Sequence, residues 1–159
     1  MTEEVCVDAN LVVKLVSQEP DSSLADALFA TWQEQDTRLI APPFLTVEVD
    51  SVLRHKVVLR RELTAEQAQT CFAAACQVPI ELLSLPGQRE RAWSLAEELR
   101  LPHVYDTTYL ALAELRGCEF WTADRRLGNA CERLGFVHRL GEFGYVGEEG
   151  RSLKPDERG

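Results

Sequence analysis

Short apolar runs alternate with amphipathic segments along almost the whole chain, and this alternation limits the possible folds more than any other feature. The apolar runs have the length of buried strands, and the segments between them carry apolar residues at helical spacing. Strands separated by helices are typical of an α/β domain with a mainly parallel sheet. Right-handed crossovers then place helices on both faces of that sheet. The sequence therefore predicts a single α/β/α domain with a central sheet.

Local signals mark several of the predicted helix ends. Ser23 with Asp26 resembles a capping box, and Thr64 with Gln67 forms a second such pattern. The segment DRRLGNACERLG predicts one continuous helix that ends at Gly135, because glycine readily takes the left-handed backbone conformation that closes many helices.

The chain has 159 residues, which suits one domain with a sizeable core. We expect the domain to cover residues 1–146, and we expect residues 147–159, which have little to bury, to form a flexible tail. No apolar run is long enough to span a membrane. No basic segment precedes the first apolar residues, as it would in a secretory signal. These features predict a cytoplasmic protein without membrane association.

Charge and cysteine content exclude some classes of protein. The formal net charge of −9 argues against a general nucleic-acid coat protein, which would carry a basic excess, but not against an enzyme whose acids gather at a metal site. The five cysteines are odd in number and contain no CxxC pair, so free thiols in a reducing compartment are expected. Three scattered histidines lack the spacing of metal ligands and are predicted to be structural or surface residues, namely His55, His103 and His138.

Four acidic residues follow predicted strands. Asp8 ends the first strand, Asp124 follows CEFWT, Asp106 opens the helix TTYLALAEL, and Glu48 lies one turn into the helix after RLIAPP. Functional sites of parallel sheets lie beyond the carboxyl ends of the strands, so these side chains are expected at one edge. Four carboxylates there would repel one another strongly without a counter-charge. Their oxygens suit Mg²⁺ or Mn²⁺, and the pattern therefore predicts a metal site.

Each of these acids also has a structural interpretation. Asp106 and Asp124 suit the N-cap position of a helix, where aspartate is favoured. Asp8 is either a loop acid or a cap for the next helix. Glu48 is a candidate for a solvated surface position, although its apolar neighbours disfavour that interpretation.

Four motifs together resemble the PIN-domain nucleases, and among them the VapC-type toxins of bacterial toxin–antitoxin pairs. They are VDAN at 7–10, VEVDSVL at 47–53, YDTTYLALAEL at 105–115 and FWTADRRL at 120–127. The resemblance covers about residues 4–140, and its last two motifs are the most specific. It implies a flavodoxin-like α/β/α domain and an endoribonuclease that depends on Mg²⁺ or Mn²⁺. The family's acidic ligands map onto Asp8, Glu48, Asp106 and Asp124.

Two positions match the small polar residues that orient the acids in this family, namely Asn10 and Thr122. Asn10 departs from the pattern, since serine or threonine is common there. Arg125 and Arg126 also depart from it, because some members carry a further acid after the last motif aspartate. These departures predict that a second ion is held weakly, or only together with substrate.

The chemistry that the resemblance implies is hydrolysis of a phosphodiester bond. A bound ion activates a water molecule and aligns it with the scissile phosphate. Asp106 or Glu48 is the candidate to take the proton from that water, with no covalent intermediate on the protein. The expected products carry a 5′-phosphate and a 3′-hydroxyl.

Basic residues are candidates for contacts with the RNA backbone. Arg125 and Arg126, beside Asp124, are the best placed. A second group lies in RHKVVLRR, where a solvated helix end is the equal alternative: Arg54, Lys56, Arg60 and Arg61. The resemblance further implies a homodimer and a cognate antitoxin that covers the active groove.

Other classes fit the sequence less well. A phospho-receiver domain needs a pair of acids after the first strand and a lysine after the fifth, and a haloacid-dehalogenase-type phosphatase needs a DxD pair. Asp8 stands alone, followed by Asn10 two positions later. The main rival is a non-catalytic PIN-like module that serves as a binding or scaffold protein, and the intact set of four acids argues against it.

Overall fold

The computed structural model describes residues 3–144 and has an α/β architecture around one five-stranded sheet. The strands are β1 (Glu4–Val7), β2 (Arg38–Ala41), β3 (Ile80–Leu82), β4 (Glu119–Thr122) and β5 (Val137–Arg139). Their order is β3-β2-β1-β4-β5, and every neighbouring pair is parallel. The predicted α/β fold with a parallel sheet is confirmed. The tail predicted at 147–159 lies outside the described residues.

Eight helices surround this sheet within residues 3–144. They are α1 (Ala9–Val16), α2 (Ser22–Glu34), α3 (Phe44–Val58), α4 (Ala65–Gln77), α5 (Gln88–Glu98), α6 (Tyr105–Arg116), α7 (Arg125–Ala130) and α8 (Leu140–Phe143). Within this range, every helix is too short or too polar to span a lipid bilayer. All five cysteines lie in the same range as free thiols.

The strand order reverses direction beside β1, and this reversal determines where a site can form. The chain adds β2 and then β3 on one side of β1 before it returns to place β4 on the other side. A crevice therefore opens between the connections that follow β1 and β4, beyond the carboxyl ends of those strands. Asp8 immediately follows β1, and its backbone N–H donates to the carbonyl oxygen of Trp121 in β4 at 3.0 Å.

The core is densest where α6 packs against α5 and the sheet. Residues 109–113 of α6 are all fully buried, because α5 covers one side of the helix and the sheet covers the other. Tyr109 packs against Phe120 of β4, with ring centroids 5.9 Å apart. This packing fixes the position of α6, and with it the acid in the first turn of that helix.

Helix ends agree with the sequence only in part. The Thr64–Gln67 capping box is present in both directions. The capping box predicted at Ser23 is wrong, because α2 begins at Ser22, whose hydroxyl accepts from Glu19 N–H at 2.9 Å. The helix predicted after Asp124 is interrupted: α7 ends at Ala130, and a 3₁₀ turn at Glu132–Leu134 precedes Gly135, which has a φ of 77°.

Candidate active site

Asp8 occupies the crevice beside β1 and is held by side chains rather than by a helix. It stands at the N-cap position of α1, but its carboxylate does not cap that helix. Oδ2 of Asp8 instead accepts hydrogen bonds from Thr122 Oγ1 at 2.8 Å and from Asn10 Nδ2 at 3.1 Å. Only 4% of the residue is exposed. The cap interpretation of Asp8 is therefore wrong, and the carboxylate is oriented within the site.

Thr122 and Asn10 also fix the loop that carries the next acid. Backbone N–H of Asp124 donates to Thr122 Oγ1 at 3.0 Å, and backbone N–H of Ala123 donates to Asn10 Oδ1 at 2.9 Å. The Asn10 amide thus bonds to residues that follow both β1 and β4. Because these bonds join the ends of two neighbouring strands, the network sets the relative positions of Asp8 and Asp124.

Glu48 and Asp106 come from two helices, α3 and α6. Glu48 lies in the second turn of α3 and is half-buried, while Leu45 and Val49 of the same helix pack into the core. Oε1 of Glu48 is buried with no hydrogen-bond partner among the described residues. Asp106 is the second residue of α6 and is also half-buried. It is not the N-cap that one interpretation of the sequence suggested.

The charges of these acids act on one another. Burial raises the pKa of Asp8 to about 7, against the hydrogen bond from Thr122 and with support from the charges of Asp106 and Glu48. Burial also raises the pKa of Glu48, and the charge of Asp106 adds to that effect. The pKa of Asp106 is raised by burial and by the charge of Asp124. Asp106 is therefore the member of the set whose charge couples to all three others.

Among residues 3–144, basic side chains do little to offset the repulsion between these acids. The only charge that lowers the pKa of Asp106 is that of His103, and no lysine or arginine in this range shifts the pKa of Asp8, Glu48 or Asp106. Three carboxylates in one crevice with so little counter-charge are the donor set that a hard cation would satisfy.

Asp124 has a second task in the structure. It is exposed, and its Oδ1 caps α7 by accepting from the backbone N–H groups of Arg126 at 2.9 Å and Leu127 at 3.2 Å. The structural interpretation of this residue is thus correct, but it uses only one carboxylate oxygen. Oδ2 takes no part in the cap.

The four carboxylates lie near enough for their charges to act on one another, but they do not converge on one point. Among residues 3–144, no three carboxylate, imidazole or thiol side chains are grouped closely enough to ligate a single ion as they stand. The donor chemistry still fits Mg²⁺ or Mn²⁺, because the site offers oxygen ligands and the buried Oε1 of Glu48 has no other partner. Asp8, Glu48 and Asp106 form the inner part of this candidate metal site, and Asp124 lies at its rim.

The predicted RNA-contacting residues fall into two groups. Arg125 and Arg126 are exposed in the first turn of α7, directly after Asp124. Arg54, Arg60 and Arg61 are exposed at and beyond the end of α3. All five arginines remain candidates for contacts with RNA.

Lys56 is placed differently from the arginines near it. It is only 5% exposed, and its Nζ donates to Glu19 Oε1 at 2.8 Å and to Glu62 Oε2 at 2.9 Å. Burial lowers the pKa of Lys56, but the two carboxylates outweigh burial and raise it. The expectation that Lys56 binds RNA is therefore wrong, since its ammonium group is buried and already paired.

Sequence reasoning missed a buried tyrosine beside the acids. Tyr109, fully buried in α6, has its hydroxyl close enough to Glu48 to lower the pKa of that acid, although the two groups do not reach hydrogen-bond geometry. Its position three residues after Asp106, on the same side of α6, was the available signal.

No pattern in the sequence indicated that His103 lies at the site. This histidine is exposed in the loop before α6, and its charge lowers the pKa of Asp106. The position of His103 three residues before Asp106 was the only sign of this relationship.

Comparison with known proteins gives a family and a set of structural neighbours. The family model described as PIN domain matches residues 5–133, which is most of the chain. A search of curated proteins finds no match.

Three solved structures share the fold. A toxin–antitoxin complex from Klebsiella pneumoniae is 16% identical, with a TM-score of 0.59 over 86% of this chain and 97% of that one. The sarcin–ricin-loop-cleaving toxin VapC20 of Mycobacterium tuberculosis is 17% identical, with a TM-score of 0.60 over 84% and 96%. PAE2754 of Pyrobaculum aerophilum is 20% identical, with a TM-score of 0.61 over 89% and 92%.

Proposed function

Because the chain belongs to the PIN domain family, we propose that it is an endoribonuclease dependent on Mg²⁺ or Mn²⁺ and related in function to the VapC-type toxins. The observation that carries this proposal is the group of acids beside β1: burial raises the pKa of Asp8, Glu48 and Asp106, and the charge of a neighbouring acid raises each of the three further, with little opposing charge. Acids placed in this way favour a bound cation, because without one their mutual repulsion would disfavour the arrangement.

Asp8, Glu48 and Asp106 would hold the ion, with Asp124 as a further ligand through Oδ2. A divalent cation bound there would lower the pKa of a coordinated water molecule and stabilise negative charge at the phosphate. Thr122 and Asn10 keep Asp8 in one orientation through their bonds to Oδ2. The protein thereby fixes the first ligand before substrate arrives.

Glu48 and Asp106 are the candidates to accept the proton of the attacking water. Both have a raised pKa, which brings a carboxylate closer to the basicity that proton transfer at neutral pH requires. Oε1 of Glu48 is an available acceptor, since no described residue donates to it. Cleavage by water attack would leave a 5′-phosphate and a 3′-hydroxyl, with no covalent bond to the protein.

Arg125 and Arg126 are the proposed contacts to the RNA backbone nearest the acids. They begin α7, directly after Asp124, and both side chains are exposed. We further propose a homodimer and an antitoxin partner in the cytoplasm. The similarity to a structure that is itself a toxin–antitoxin complex supports the antitoxin.

An RNA cleavage assay with a metal titration tests the proposal. The wild type should cut single-stranded RNA only with Mg²⁺ or Mn²⁺, and either ion should raise its melting temperature by mass action. Asp8→Asn should remain folded, lose cleavage and show a smaller metal-induced shift. The exposed acid Asp26 on α2 provides the matched control as Asp26→Asn. RNA binding without cleavage at any metal concentration would instead indicate a non-catalytic module.

A further inference from the structure

Three aromatic rings gather where α3 and α6 begin, two from the first turns of these helices and one from the loop before α6. The rings of Phe44 and Tyr105 are stacked, with centroids 5.4 Å apart and an interplanar angle of 17°. The imidazole of His103 packs against the same tyrosine, with centroids 5.4 Å apart and an angle of 33°. Tyr105 is therefore the ring common to both contacts, and we call these three residues the ring cluster.

The ring cluster borders the candidate active site. Tyr105 directly precedes Asp106 in α6, and Phe44 lies one helical turn before Glu48 in α3. His103 lies near enough to Asp106 for its charge to affect that acid. Because Phe44 and Tyr105 belong to the helices that carry Glu48 and Asp106, and His103 lies in the loop just before α6, a group bound on the rings would lie beside the carboxylates.

Much of this aromatic surface faces water. Tyr105 is 54% exposed and the adjacent Val104 is 40% exposed, whereas Phe44 is half-buried beneath. A half-buried ring that stacks on an exposed one holds the exposed ring in a fixed orientation. A fixed aromatic face needs less ordering when a flat ligand binds than a freely rotating side chain would.

We propose that the exposed rings of Tyr105 and His103 stack against a base of single-stranded RNA next to the scissile phosphate. This inference rests on the proposed function, because it takes a strand lying across the acids as given. Aromatic side chains and histidine stack on unpaired bases in many RNA-binding sites. Stacking tolerates any sequence, since every base has a π face.

The charge of the protein strengthens the argument for an uncharged contact. The chain carries a net charge of −9 and its crevice is lined by acids, so phosphate is repelled over much of the surface. Arginine contacts at α7 act on the backbone of the strand alone. A base held on the neutral ring of Tyr105 adds affinity without a further cation, and it positions the neighbouring phosphate.

The surface next to the ring cluster has room for the rest of a strand. A groove of about 850 Å³ lies between α5 and α6, and its lining includes Arg89, Trp93, Val104 and Thr108. Val104 connects this groove to Tyr105.

The ring cluster suits single-stranded rather than double-stranded RNA. In double-stranded RNA the bases are paired and the major groove of the nucleic acid is too narrow for side chains to read. The ring cluster therefore fits an unpaired segment.

Binding of a fluorescein-labelled oligoadenylate RNA to the full chain tests the proposal, with Ca²⁺ in place of Mg²⁺ to suppress cleavage. Tyr105→Ala should weaken binding by roughly tenfold to a hundredfold, the range expected for one stacked base. Tyr105→Phe should keep the affinity, because it keeps the ring. Tyr105→Leu should behave like alanine, because it keeps apolar bulk without a π face. Phe72→Ala, at an aromatic residue on α4 that is 40% exposed, is the matched control and should bind like the wild type.

An RNA with abasic sites introduced one at a time makes the test specific. An abasic site at one position should weaken binding of the RNA to the wild type. The same abasic site should not weaken binding to Tyr105→Ala any further. Full affinity of Tyr105→Leu, or additive losses in this cycle, would overturn the stacking contact.

Two more outcomes separate the possible failures. A change of oligomeric state in Tyr105→Ala with unchanged RNA affinity would assign the ring cluster to a protein interface and overturn the proposal. If the wild type cleaves RNA and the Tyr105 variants bind RNA normally, the stacking proposal is rejected and the proposed function stands. Absence of both binding and cleavage in the wild type would reject the proposed function itself.

Discussion

Asp8 and Thr122 lie 114 positions apart in the sequence, and a hydrogen bond of 2.8 Å joins Thr122 Oγ1 to Asp8 Oδ2. Thr122 is fully buried, and its oxygen also accepts from the backbone N–H of Asp124 at 3.0 Å. One hydroxyl group thus orients an acid after β1 and the loop after β4. The geometry of the candidate active site depends on a residue that need not touch the metal or the RNA.

Thr122→Val should lower metal affinity or cleavage by about 10- to 100-fold, the usual effect of removing a group that orients a metal ligand. Valine keeps the shape and removes the donor to Asp8, whose pKa should rise further because that bond lowers it. Metal titration of cleavage measures the effect. Thr31→Val is the control, since the Thr31 hydroxyl bonds only within α2, to the carbonyl oxygen of Ala27. Equal metal affinity in both variants would contradict the orienting role.

The metal-free protein should lose stability as the pH rises. The pKa of Asp8 is raised from 3.8 to about 7, so the folded state binds this proton more tightly than the unfolded state does. The resulting stabilisation is fully present below about pH 4 and is lost as the pH rises to about 7, with an upper magnitude of about 4 kcal/mol. Urea unfolding in EDTA between about pH 5 and pH 8 measures this slope. Asp8→Asn should flatten it, whereas Asp26→Asn should not.

Lys56→Met should destabilise the fold without weakening RNA binding. The lysine links Glu19, which follows α1, to Glu62, which follows α3, and its removal leaves these carboxylates without their shared donor. A loss of about 1–3 kcal/mol is expected, moderated because both glutamates retain some access to water. Denaturant unfolding measures it. The exposed Arg54, as Arg54→Gln, should change stability by less than about 0.5 kcal/mol. A weaker RNA affinity in a folded Lys56→Met would restore this residue to the RNA contacts.

Arginine substitutions should show which surface follows the RNA backbone. Replacing Arg125 and Arg126 by glutamine should reduce the slope of log affinity against log salt by about 0.7 for each lost phosphate contact. RNA affinity across a salt series, in Ca²⁺, gives that slope. The triple glutamine variant of Arg54, Arg60 and Arg61 tests the end of α3 in the same way. An unchanged slope in either variant would remove that group from the RNA path.

The sequence was sufficient to predict the fold and the edge of the sheet beside which Asp8 and Asp124 lie. Parallel strands place their carboxyl ends together, so Asp8 and Asp124 were predictable from the ends of two apolar runs. The Thr64 capping box was predictable because all of its partners lie within one helical turn. A local pattern of this kind is predictable because every residue that takes part in the interaction is visible in one short stretch of sequence.

Interactions between distant segments escaped prediction because their partners leave no pattern in the sequence. Lys56 looked like part of a basic surface, and only the packing of the segment after α1 brings Glu19 to it. Likewise, the stacking of Phe44 on Tyr105 depends on how closely α3 and α6 approach each other. The unpaired Oε1 of Glu48 is equally invisible in sequence, because burial is a property of the assembled fold.

The reversal of strand order beside β1 has a consequence for the protein during its synthesis. A ribosome delivers Asp8 and Glu48 long before it delivers Asp106 and Asp124, which belong to α6 and the loop after β4. A nascent chain therefore carries half of the carboxylates, and it lacks Thr122, which orients Asp8. Any RNA-cutting activity that needs the complete set must wait until β4 has emerged and paired with β1. The order of translation thus delays assembly of the site until most of the molecule exists.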